Sequence, residues 1–553
     1  MKKSVALFLT IAAACFLSAC KSFDACDKQA SDAGLKIGWG KRSIAQKGPV
    51  PITGQFHLRV SQGEFTPVIA SALAISNEKD SVIFVTLDVV SFSAVALKEI
   101  QETLKKEAPE IPVEKIIINS THTHAGPSAA GHFKGFPIDV KVIPSEDVRK
   151  FQVRQVSDAI KDAWKNRASG SISYGYGFAT TGHSRRAVYL KDVGRIFGGT
   201  SGMAMNGKAV MYGRTNYELF DGYEAGTDAF INLLYTFDKK GKLTGAIINV
   251  PCPSQTNESV WMLHASFWHN VREKLTAKYG NIGVIGQSAA AGDLSPRQLH
   301  YNKAELRRYK LKYKDKIEAY CKNPMKNPFA RNWTKEEVRA QAESDAVELM
   351  RAEDIANRIV AAFDEVLSWA GQEKFSNPEL KHEIKTVKLS RRLFPKVLVD
   401  EEKQKHAEVM KLKFKTDGNE WERLVHNSRL NSRRRRIGGI LTRYENQAKN
   451  PTLTTDIHVV RLGNIAFATN RFELFLDYQH RIQARSPFEQ TFIVQLVTDV
   501  NGVGSYLATE KGVANKGYSA TPYCNQVSPK GGQELVEETL KALDGIKPQK
   551  IKE

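Results

Sequence analysis

The 553-residue sequence is poor in cysteine and has no long apolar run after its first residues. Of its six cysteines, the four after residue 20 are widely spaced and form no disulfide framework, although an oxidising compartment would allow one bridge. The absence of any further apolar stretch of about 20 residues excludes a multispan membrane protein. The sequence also has no internal repeat, no low-complexity tract and no nucleic-acid-binding motif, so we expect no nucleic-acid partner. With 42% hydrophobic residues, the chain is typical of a large globular protein.

Residues 1–20 predict an export signal that ends in a lipidated cysteine. A charged start precedes an apolar stretch that is too short to cross a bilayer. The sequence LSAC, which ends at Cys20, resembles the lipobox of bacterial lipoproteins, and a plain secretory signal cut after Ala19 is the alternative. We therefore expect an exported bacterial lipoprotein, anchored to a membrane through Cys20 on the periplasmic or cell-surface face. Residues 21–35 would then form a tether, and residues 36–553 the folded domain.

Acidic residues are fewer than basic ones, with 60 Asp and Glu against 80 Lys and Arg, which gives a formal net charge of +20. Such a charge favours anionic surfaces such as phospholipid or acidic glycans. Much of the excess lies in residues 301–316 and 431–436, and solvated helix faces are the ordinary interpretation of both runs. One alternative that stays open is a non-catalytic surface lipoprotein that binds anionic lipid or glycan.

Strand-like and helix-like patterns alternate along the chain and predict an α/β fold. We expect a large mixed sheet with flanking helices, and a helical insertion at about residues 302–371. Ser93 and Ser145 are predicted to cap helices, and residues 532–546 to form a closing helix. The predicted buried strands share β-branched, apolar sequences: residues 81–90, 115–119, 243–250, 281–287, 464–470 and 492–500.

The sequence INSTHTHAGP, residues 118–127, places two histidines just past the end of a predicted buried strand. Where the chain turns after the strand, His122 and His124 could serve one site in different roles. Two polar histidines at a strand end are the ordinary alternative, and a His-x-His pair alone is weakly specific.

A second segment, QSAAAGDLSPR at residues 287–297, also follows a predicted strand. Its alanines and Gly292 allow close backbone approach. Ser295 precedes a proline and is held extended, so its hydroxyl could act as a nucleophile or as a hydrogen-bond donor to a transition state. The alternative is a Ser-Pro turn in which Asp293 bonds local amides.

Together, NSTHTHAGP and GDLSPR resemble the paired signatures of the neutral/alkaline (non-lysosomal) ceramidase family. The resemblance runs from about residue 36 to the end of the chain and implies a ceramidase-like catalytic domain. Members of the family are zinc amidases that cleave the N-acyl bond of ceramide to give sphingosine and a fatty acid. They usually carry a C-terminal β-sandwich domain, which we do not expect here because the chain ends about 35 residues beyond Tyr518.

The resemblance implies a set of ligands for Zn²⁺ and a set of catalytic residues. The implied metal ligands are His122, Cys252, Glu473 and Tyr506. The implied catalytic residues are His124, Arg185, Ser295 and Tyr518. Arg186 is the other choice for the arginine. Tyr518 lies 12 residues after Tyr506, which is the spacing of the family's two site tyrosines.

Cys252 is a departure, because the family has a histidine at the corresponding place and this chain reads INVPCPSQTN. A thiolate is a good zinc ligand at ~2.3 Å, but it would lower the Lewis acidity of the metal. A buried free cysteine is the alternative. Zinc would then recruit His264 or His183, or the metal would be lost.

The residues and the resemblance lead to one functional hypothesis, a zinc-dependent hydrolase acting on ceramide or a related lipid. His124 would carry a proton to the leaving amine, while Tyr518 and Arg185 would stabilise the developing oxyanion. Asp88, at the end of a strand, is a candidate partner of the metal ligands or a structural residue. A hydrolase of another amide or ester is the alternative within the same chemistry.

Overall fold

The computed structural model describes residues 34–129, 134–197, 207–502 and 504–548. The predicted export signal, with Cys20, lies outside the described residues. Within them, no helix is both long and apolar enough to cross a membrane.

The strands are short and mostly buried. In chain order they are β1 (Lys36–Ser43), β2 (Pro51–Ile52), β3 (Arg59–Val60), β4 (Ile69–Ser76), β5 (Ser81–Leu87), β6 (Ile116–Ser120), β7 (Ala168–Phe178), β8 (His183–Ser184), β9 (Arg186–Tyr189), β10 (Ala209–Met211), β11 (Phe220–Tyr223), β12 (Phe230–Asp238), β13 (Leu243–Val250), β14 (Gly283–Ser288), β15 (Leu294–Ser295), β16 (Leu380–Ser390), β17 (Thr452–Leu462), β18 (Ile465–Thr469), β19 (Glu473–Leu474), β20 (Gln490–Val494) and β21 (Tyr506–Leu507).

The helices range from one turn to ten turns. In chain order they are α1 (Ala94–Glu107), α2 (Ser145–Lys165), α3 (Gly194–Phe197), α4 (Phe267–Tyr279), α5 (Asn302–Lys312), α6 (Lys314–Lys322), α7 (Lys335–Ala370), α8 (Lys396–Lys411), α9 (Glu420–Asn446), α10 (Leu476–Arg485), α11 (Glu510–Asn515) and α12 (Pro529–Ile546).

An eight-stranded sheet forms the centre of the molecule, in the order β14-β13-β12-β7-β1-β4-β5-β6. Its inner neighbours are antiparallel, while the pairs at its two edges, β13–β14 and β5–β6, are parallel. Because a parallel neighbour requires a crossover, α4 connects β13 to β14 and α1 connects β5 to β6. The large mixed sheet and its flanking helices confirm the predicted fold class.

A second sheet, in the order β16-β17-β18-β20, packs face to face on the first. Phe84 of the first sheet contacts Phe467 of the second, with ring centroids 4.8 Å apart. Both side chains are 0% exposed, and each such burial stabilises the fold by roughly 1.5–3 kcal/mol. The apolar layer between the sheets therefore fixes their relative position.

Helices cover the outer faces of both sheets. Helices α1 and α2 cover one half of the large sheet, and α4 and α7 cover the other half. Helices α10 and α12 cover the small sheet. The result is a four-layer αββα arrangement in which each sheet buries both faces.

The segment predicted to be helical at residues 302–371 contains α5, α6 and α7. Helix α7 begins with a capping box, in which Thr334 and Glu337 bond each other's backbone amides. Ser93 caps α1, as the sequence predicts. The prediction for Ser145 is wrong, because Pro144 is the N-cap residue of α2 and Ser145 is its first helical residue.

Three parallel strand pairs direct their carboxyl ends toward one region. Strands β6, β13 and β14 end there in the large sheet, and β18 ends there in the small one. Backbone hydrogen bonds join the segment that follows β20 to two of these strands, from Thr498 N to Ile118 O of β6 at 2.8 Å and from Gln495 N to Ser288 O of β14 at 3.1 Å. Loops that follow parallel strands are free of sheet pairing, so polar side chains from distant parts of the sequence can meet here.

Asp88 holds the end of β5 to helix α4 through a buried ion pair. Its carboxylate, 0% exposed, accepts hydrogen bonds from Arg272 Nη2 at 2.7 Å and Nη1 at 2.8 Å. It also accepts from Thr121 Oγ1 at 3.2 Å, one residue before His122. Asp88 is thus a structural residue, and its hydrogen bond with Thr121 helps to hold the turn that carries the histidines.

Because Asp88→Ala leaves Arg272 without its partner, we expect the free energy of unfolding to fall by about 3–5 kcal/mol. Denaturant unfolding measures this loss. Removing Arg272 as well should cost less than the sum of the two single changes, because the pair is coupled. A loss for Asp88→Ala below about 1 kcal/mol would contradict this account.

Candidate active site

A sharp turn after β6 brings the two histidines of the His-Thr-His run together. The strand ends at Ser120, and His122 has a left-handed backbone conformation with φ of 63°. The rings of His122 and His124 lie with their centroids 5.1 Å apart. A residue other than glycine is strained in this conformation, and such strain is common at functional sites.

His122 anchors one ring nitrogen and presents the other to the site. Its Nδ1 donates a hydrogen bond to the Val90 carbonyl oxygen at 2.7 Å. With the proton on Nδ1, Nε2 keeps its lone pair, and this atom is buried without a hydrogen-bond partner. Nε2 lies 3.3 Å from Glu473 Oε2. A buried lone pair that faces a carboxylate oxygen is unfavourable unless a proton or a metal ion lies between them.

Glu473 and Tyr506 lie side by side because β19 and β21 pair in parallel, with these two residues in register. Their side chains are hydrogen-bonded, and burial, together with Glu473, raises the pKa of the Tyr506 hydroxyl. Burial alone would raise the pKa of the Glu473 carboxyl, but His122 and Arg185 lower it below its ordinary value. The carboxylate therefore stays ionised beside a neutral phenol.

Gly292 allows the segment after β14 to approach Glu473. A Cβ atom at this position would lie 2.4 Å from the Glu473 carbonyl oxygen. The Gly292 amide donates to the Leu474 carbonyl oxygen at 2.8 Å. Any side chain here would displace Glu473 from His122, which explains the glycine.

Three of the four predicted metal ligands thus converge, namely His122, Glu473 and Tyr506. One nitrogen and two oxygen donors suit Zn²⁺, and catalytic zinc sites have three protein ligands and one open position. The orphaned Nε2 of His122 supports this fit. Across the described parts of the chain, no three His, Cys, Asp or Glu side chains are grouped to hold a metal, so any three-residue set at this place includes the Tyr506 hydroxyl.

Cys252, the fourth predicted ligand, lies apart from the other three. A tight turn, in which the Cys252 amide donates to the Val250 carbonyl oxygen at 2.9 Å, directs the side chain into the core. The thiol bonds the Thr181 carbonyl oxygen at 3.2 Å and belongs to the apolar cluster below β12, β13 and β14. Burial raises the pKa of this thiol. The described structure therefore shows the buried free cysteine of the alternative interpretation.

The two histidines considered as replacement ligands also have other surroundings. His264 Nδ1 is hydrogen-bonded to Thr66 Oγ1 at 2.8 Å. His183 lies in β8, where it pairs with Ser295 of β15. Neither joins a group of three potential ligands in the described residues.

The adjacent Arg185 and Arg186 have different roles in the structure. The Arg185 guanidinium lies 5.4 Å from the ring centroid of Tyr506 and donates to Gln255 Oε1 at 3.4 Å. Arg186 forms a buried ion pair with Glu224 at 2.7 Å. Of the two candidates, Arg185 is thus the one at the site, and Arg186 belongs to the framework.

Tyr518 extends the row of aromatic rings that begins at Tyr506. The two ring centroids lie 5.6 Å apart, and Phe56 packs edge-on against Tyr518 at 5.6 Å. Burial raises the pKa of the Tyr518 hydroxyl. This hydroxyl therefore remains a proton donor at neutral pH.

Ser295 is fully buried, and its Oγ accepts a hydrogen bond from the Arg297 amide at 2.9 Å. The oxygen is thus engaged in a Ser-Pro turn, which favours a hydrogen-bonding role over that of a nucleophile. Asp293 accepts from the Leu476 amide at 3.0 Å, at the start of α10. Burial raises the pKa of the Asp293 carboxyl to about 7. Asp293 therefore fixes the helix that follows Glu473.

Two residues that the sequence analysis did not single out, Gln255 and Glu258, surround His124. His124 Nδ1 lies 3.2 Å from Glu258 Oε2, and His124 Nε2 lies 2.7 Å from Gln255 Nε2. Both residues follow β13, a few positions beyond Cys252. Their position directly after a buried strand was the only signal that could have identified them.

The hydrogen bonds assign the protonation of His124. Because Arg185 donates to Gln255 Oε1, the amide nitrogen of Gln255 faces His124 and donates to its Nε2. The ring proton is then on Nδ1, toward Glu258. Burial opposes ionisation of Glu258, but His124 and Arg297 lower the pKa of its carboxyl to about 2. His124 is therefore a neutral base held by an ionised carboxylate.

Gly54 gives His124 its place against the neighbouring loop. A Cβ atom at Gly54, which has φ of +113°, would lie 2.5 Å from His124 Cγ. On the other side, the buried Arg59 donates to the His124 carbonyl oxygen. The close approach of Gly54 thus fixes the ring of His124, and the hydrogen bond from Arg59 fixes its backbone.

Tyr212 and Arg297 also contact residues of the site, and the sequence analysis did not single them out either. Tyr212, with φ of 57°, is hydrogen-bonded to Ser295. Its ring centroid lies 5.7 Å from the Arg297 guanidinium. Arg297 lies 3.8 Å from Glu258, so Ser295 and His124 belong to one connected polar network.

Comparisons with known proteins support the fold. No protein-family model matches the chain, and no curated protein matches its sequence. Among solved structures, neutral ceramidase from Pseudomonas aeruginosa has a TM-score of 0.59 and 15% identity, covering 94% of this chain and 76% of that chain. A ceramidase complexed with C2 has a TM-score of 0.57 and 15% identity, with coverage of 94% and 76%. At this identity, the likeness shows that the chain has the fold of the neutral ceramidases.

The buried His264 should make folding stability depend on pH. It is 1% exposed, and burial lowers its pKa to about 3 from 6.5. Below pH 6.5 the unfolded chain takes up a proton that the folded protein does not, so this contribution to stability is lost as pH falls. The unfolding free energy should rise with pH, and between about pH 4 and about pH 6 His264→Gln should reduce this slope by about 1.4 kcal/mol per pH unit. Denaturant unfolding at several pH values measures the free energy and thus the slope.

Equal slopes in the parent protein and the His264→Gln variant would contradict the assignment.

Proposed function

We propose that this protein is a zinc-dependent hydrolase that cleaves the N-acyl amide bond of ceramide or a related lipid. The observation that carries the proposal is the meeting of His122, Glu473 and Tyr506 beside Arg185 and Tyr518. These side chains come from four separate parts of the chain, and several are buried at a cost in free energy. His122 Nε2, buried without a hydrogen bond and 3.3 Å from Glu473 Oε2, is placed so that a metal ion between the two atoms would satisfy both.

In this proposal His122, Glu473 and Tyr506 hold the zinc ion. When bound, zinc would supply Lewis-acid activation of a water molecule or of the substrate carbonyl. The Val90 carbonyl oxygen fixes the His122 ring so that Nε2 points to the ion, as partners of metal ligands commonly do.

His124 handles the proton. Hydrolysis of an amide requires a proton to leave the attacking water and another to reach the departing amine. His124 Nε2 is unprotonated in the resting network and can take up a proton, while Glu258 beside Nδ1 stabilises the resulting imidazolium. Gln255 connects this ring to Arg185, so the acid–base group and the substrate-orienting arginine are coupled.

Arg185 and Tyr518 orient the amide. Both present donors beside Tyr506, where they can stabilise negative charge on the carbonyl oxygen as the tetrahedral centre forms. Ser295 contributes through Tyr212 and the turn that carries Arg297. Burial opposes the charge of Arg185, but the pKa of the guanidinium is raised above its ordinary value, and the ionised Glu473 carboxylate contributes to this at neutral pH.

The fold supports a proposal for the substrate class. Two solved structures with a similar fold are ceramidases, and we therefore propose a lipid amide as the substrate. Attachment to a membrane through Cys20 would place the site near such lipids. Another amide or ester is the alternative substrate, because the proposed chemistry concerns the acyl bond and not the chains around it.

Removal of His122 should abolish both zinc binding and hydrolysis. We expect about one zinc per chain in the protein expressed without residues 1–20, and none in His122→Ala, measured by elemental analysis. Release of fatty acid from ceramide should cease in the same variant.

Cys252→Ala is the matched control, because the thiol lies in the apolar core and should leave zinc content unchanged. Loss of zinc in Cys252→Ala would contradict the three-ligand assignment. Full activity after complete chelation would contradict the zinc proposal itself.

Glu258→Gln should lower kcat by about 10–100-fold with little change in KM, because the amide cannot stabilise a charged His124. Steady-state kinetics on ceramide measure both constants. Glu348 also faces Arg297, at 3.5 Å, and shows no contact with His124 among the described residues. Glu348→Gln should therefore retain most of kcat. Equal losses in the two variants would mean that Glu258 acts through Arg297 alone.

A further inference from the structure

A basic cleft lies next to the candidate active site, between helix α9 and the segments that carry the two site tyrosines. Its volume is about 640 Å³. We call it the arginine cleft, and the residues that define it are Arg435, Arg436, Gly439, Arg443, Ser505 and Gln526. It includes part of the basic run 431–436, whose ordinary interpretation is a solvated helix face.

Arg443, which lines the cleft, and its neighbour Arg392 bond only neutral acceptors among the described residues. Arg443 donates to the Asn525 carbonyl oxygen at 2.8 Å and to the Pro522 carbonyl oxygen at 2.6 Å. Arg392, beneath it, donates to the Ala520 carbonyl oxygen at 2.7 Å and to Asn525 Oδ1 at 2.6 Å. The positive charges of Arg443 and Arg392 are thus close together, and no carboxylate among the described residues bonds either of them, which is energetically unfavourable.

The electrostatics agree with this arrangement. Burial lowers the pKa of Arg392 to about 10. Burial and the charge of Arg392 also lower the pKa of Arg443 to about 10. The nearby carboxylate of Glu402 is already engaged by the Tyr523 hydroxyl at 2.6 Å and by Lys405 at 2.7 Å. An anion in the cleft would supply the missing negative charge.

Arg436 connects the cleft to the catalytic residues. Its guanidinium lies 4.8 Å from the Phe56 ring centroid and 5.8 Å from that of Tyr518. It also lies 3.4 Å from Cys524 Sγ. Since the Tyr518 ring in turn contacts Tyr506, one aromatic ring separates Arg436 from a proposed metal ligand.

Gly439 keeps the cleft open. It lies inside α9, where glycine is the least favourable residue after proline. A Cβ atom at Gly439 would meet nothing within 4 Å, so packing does not require the glycine. Open space beside a helix-interior glycine in a cationic cleft is suited to a ligand.

We propose that the arginine cleft binds an oxyanion, a phosphate, sulfate or sulfonate, carried by the lipid substrate itself. This inference rests on the proposed function and narrows it to anionic N-acyl lipids. Guanidinium groups match tetrahedral oxyanions in charge and geometry. The contact of Arg436 with Tyr518 puts the bound anion beside the reacting centre, which favours the substrate over a lipid of the surrounding bilayer as its source.

The first experiment compares ceramide 1-phosphate with uncharged ceramide of the same acyl chain, both in neutral detergent micelles. The parent protein should prefer the phosphorylated substrate by roughly tenfold or more in kcat/KM, the size of a charge-assisted contact. Arg436→Gln and Gly439→Leu should reduce the preference to about unity. The second change fills the cleft with a better helix former, so the helix is retained.

Arg434→Gln is the matched control, because it removes the same charge from the same helix. Arg434 bonds carbonyl groups at the end of α8 and lies over Phe414. The preference should survive in this variant. An equal loss in Arg434→Gln and Arg436→Gln would overturn the proposal in favour of a general charge effect, and equal turnover of both substrates by the parent protein would also overturn it.

The second experiment is calorimetric titration with inorganic phosphate, which does not depend on catalysis. Binding to the parent protein and to Arg434→Gln, with none to Arg436→Gln, supports the cleft even if neither ceramide is hydrolysed, in which case the proposed function alone fails. Ceramide turnover without phosphate binding or substrate preference overturns the cleft alone. If anionic vesicles stimulate cleavage of uncharged ceramide through Arg436 and no preference exists in micelles, the anion comes from the bilayer and the substrate assignment is overturned.

Discussion

The contact between His122 and Glu473 is the interaction on which the rest of the site depends, because it joins segments that follow strands of two different sheets. His122 follows a parallel strand of the large sheet, and Glu473 follows a strand of the small one. The apolar layer between the sheets holds these strand ends in place, and Gly292 lets the backbones approach. A shift between the sheets of even one ångström would separate the two ligands, so the core packing is a condition for the chemistry.

In the segment after β13, one turn determines which side chains enter the apolar core and which face His124. The Val250–Cys252 turn sends the thiol into the apolar core, and the chain then returns to the surface of the site with Gln255 and Glu258. The polar side chains of this segment thus contact His124 and not His122, Glu473 or Tyr506. In the proposed function, those three residues would hold the metal and His124 would carry the proton, a division of roles that suits hydrolysis.

The arrangement of charge separates two functions of the basic residues. Many lysines and arginines of α5 to α7 pair with carboxylates such as Glu353 and Asp354 and stabilise the helices. At the arginine cleft, Arg443 bonds carbonyl groups and Arg436 lies against an aromatic ring instead. The net charge of the chain is therefore less informative than the environment of each cation, because an anion gains most where, among the described residues, an arginine such as Arg443 bonds no carboxylate.

Residues 81–90 and 243–250 read as buried strands from their β-branched runs, and the structure ends the first at Leu87. Ser93 read as a helix cap, and the charge pattern and scarcity of glycine predicted helices in residues 302–371. Local sequence placed His122 at the end of a strand, whereas Glu473 and Tyr506 came from the resemblance to a family. The sequence by itself therefore determined the elements and the chemistry at their ends, because propensity and capping are local. Only the tertiary structure decided which ends meet, the direction of Cys252 and the neighbours of His124, because these depend on packing between residues hundreds of positions apart.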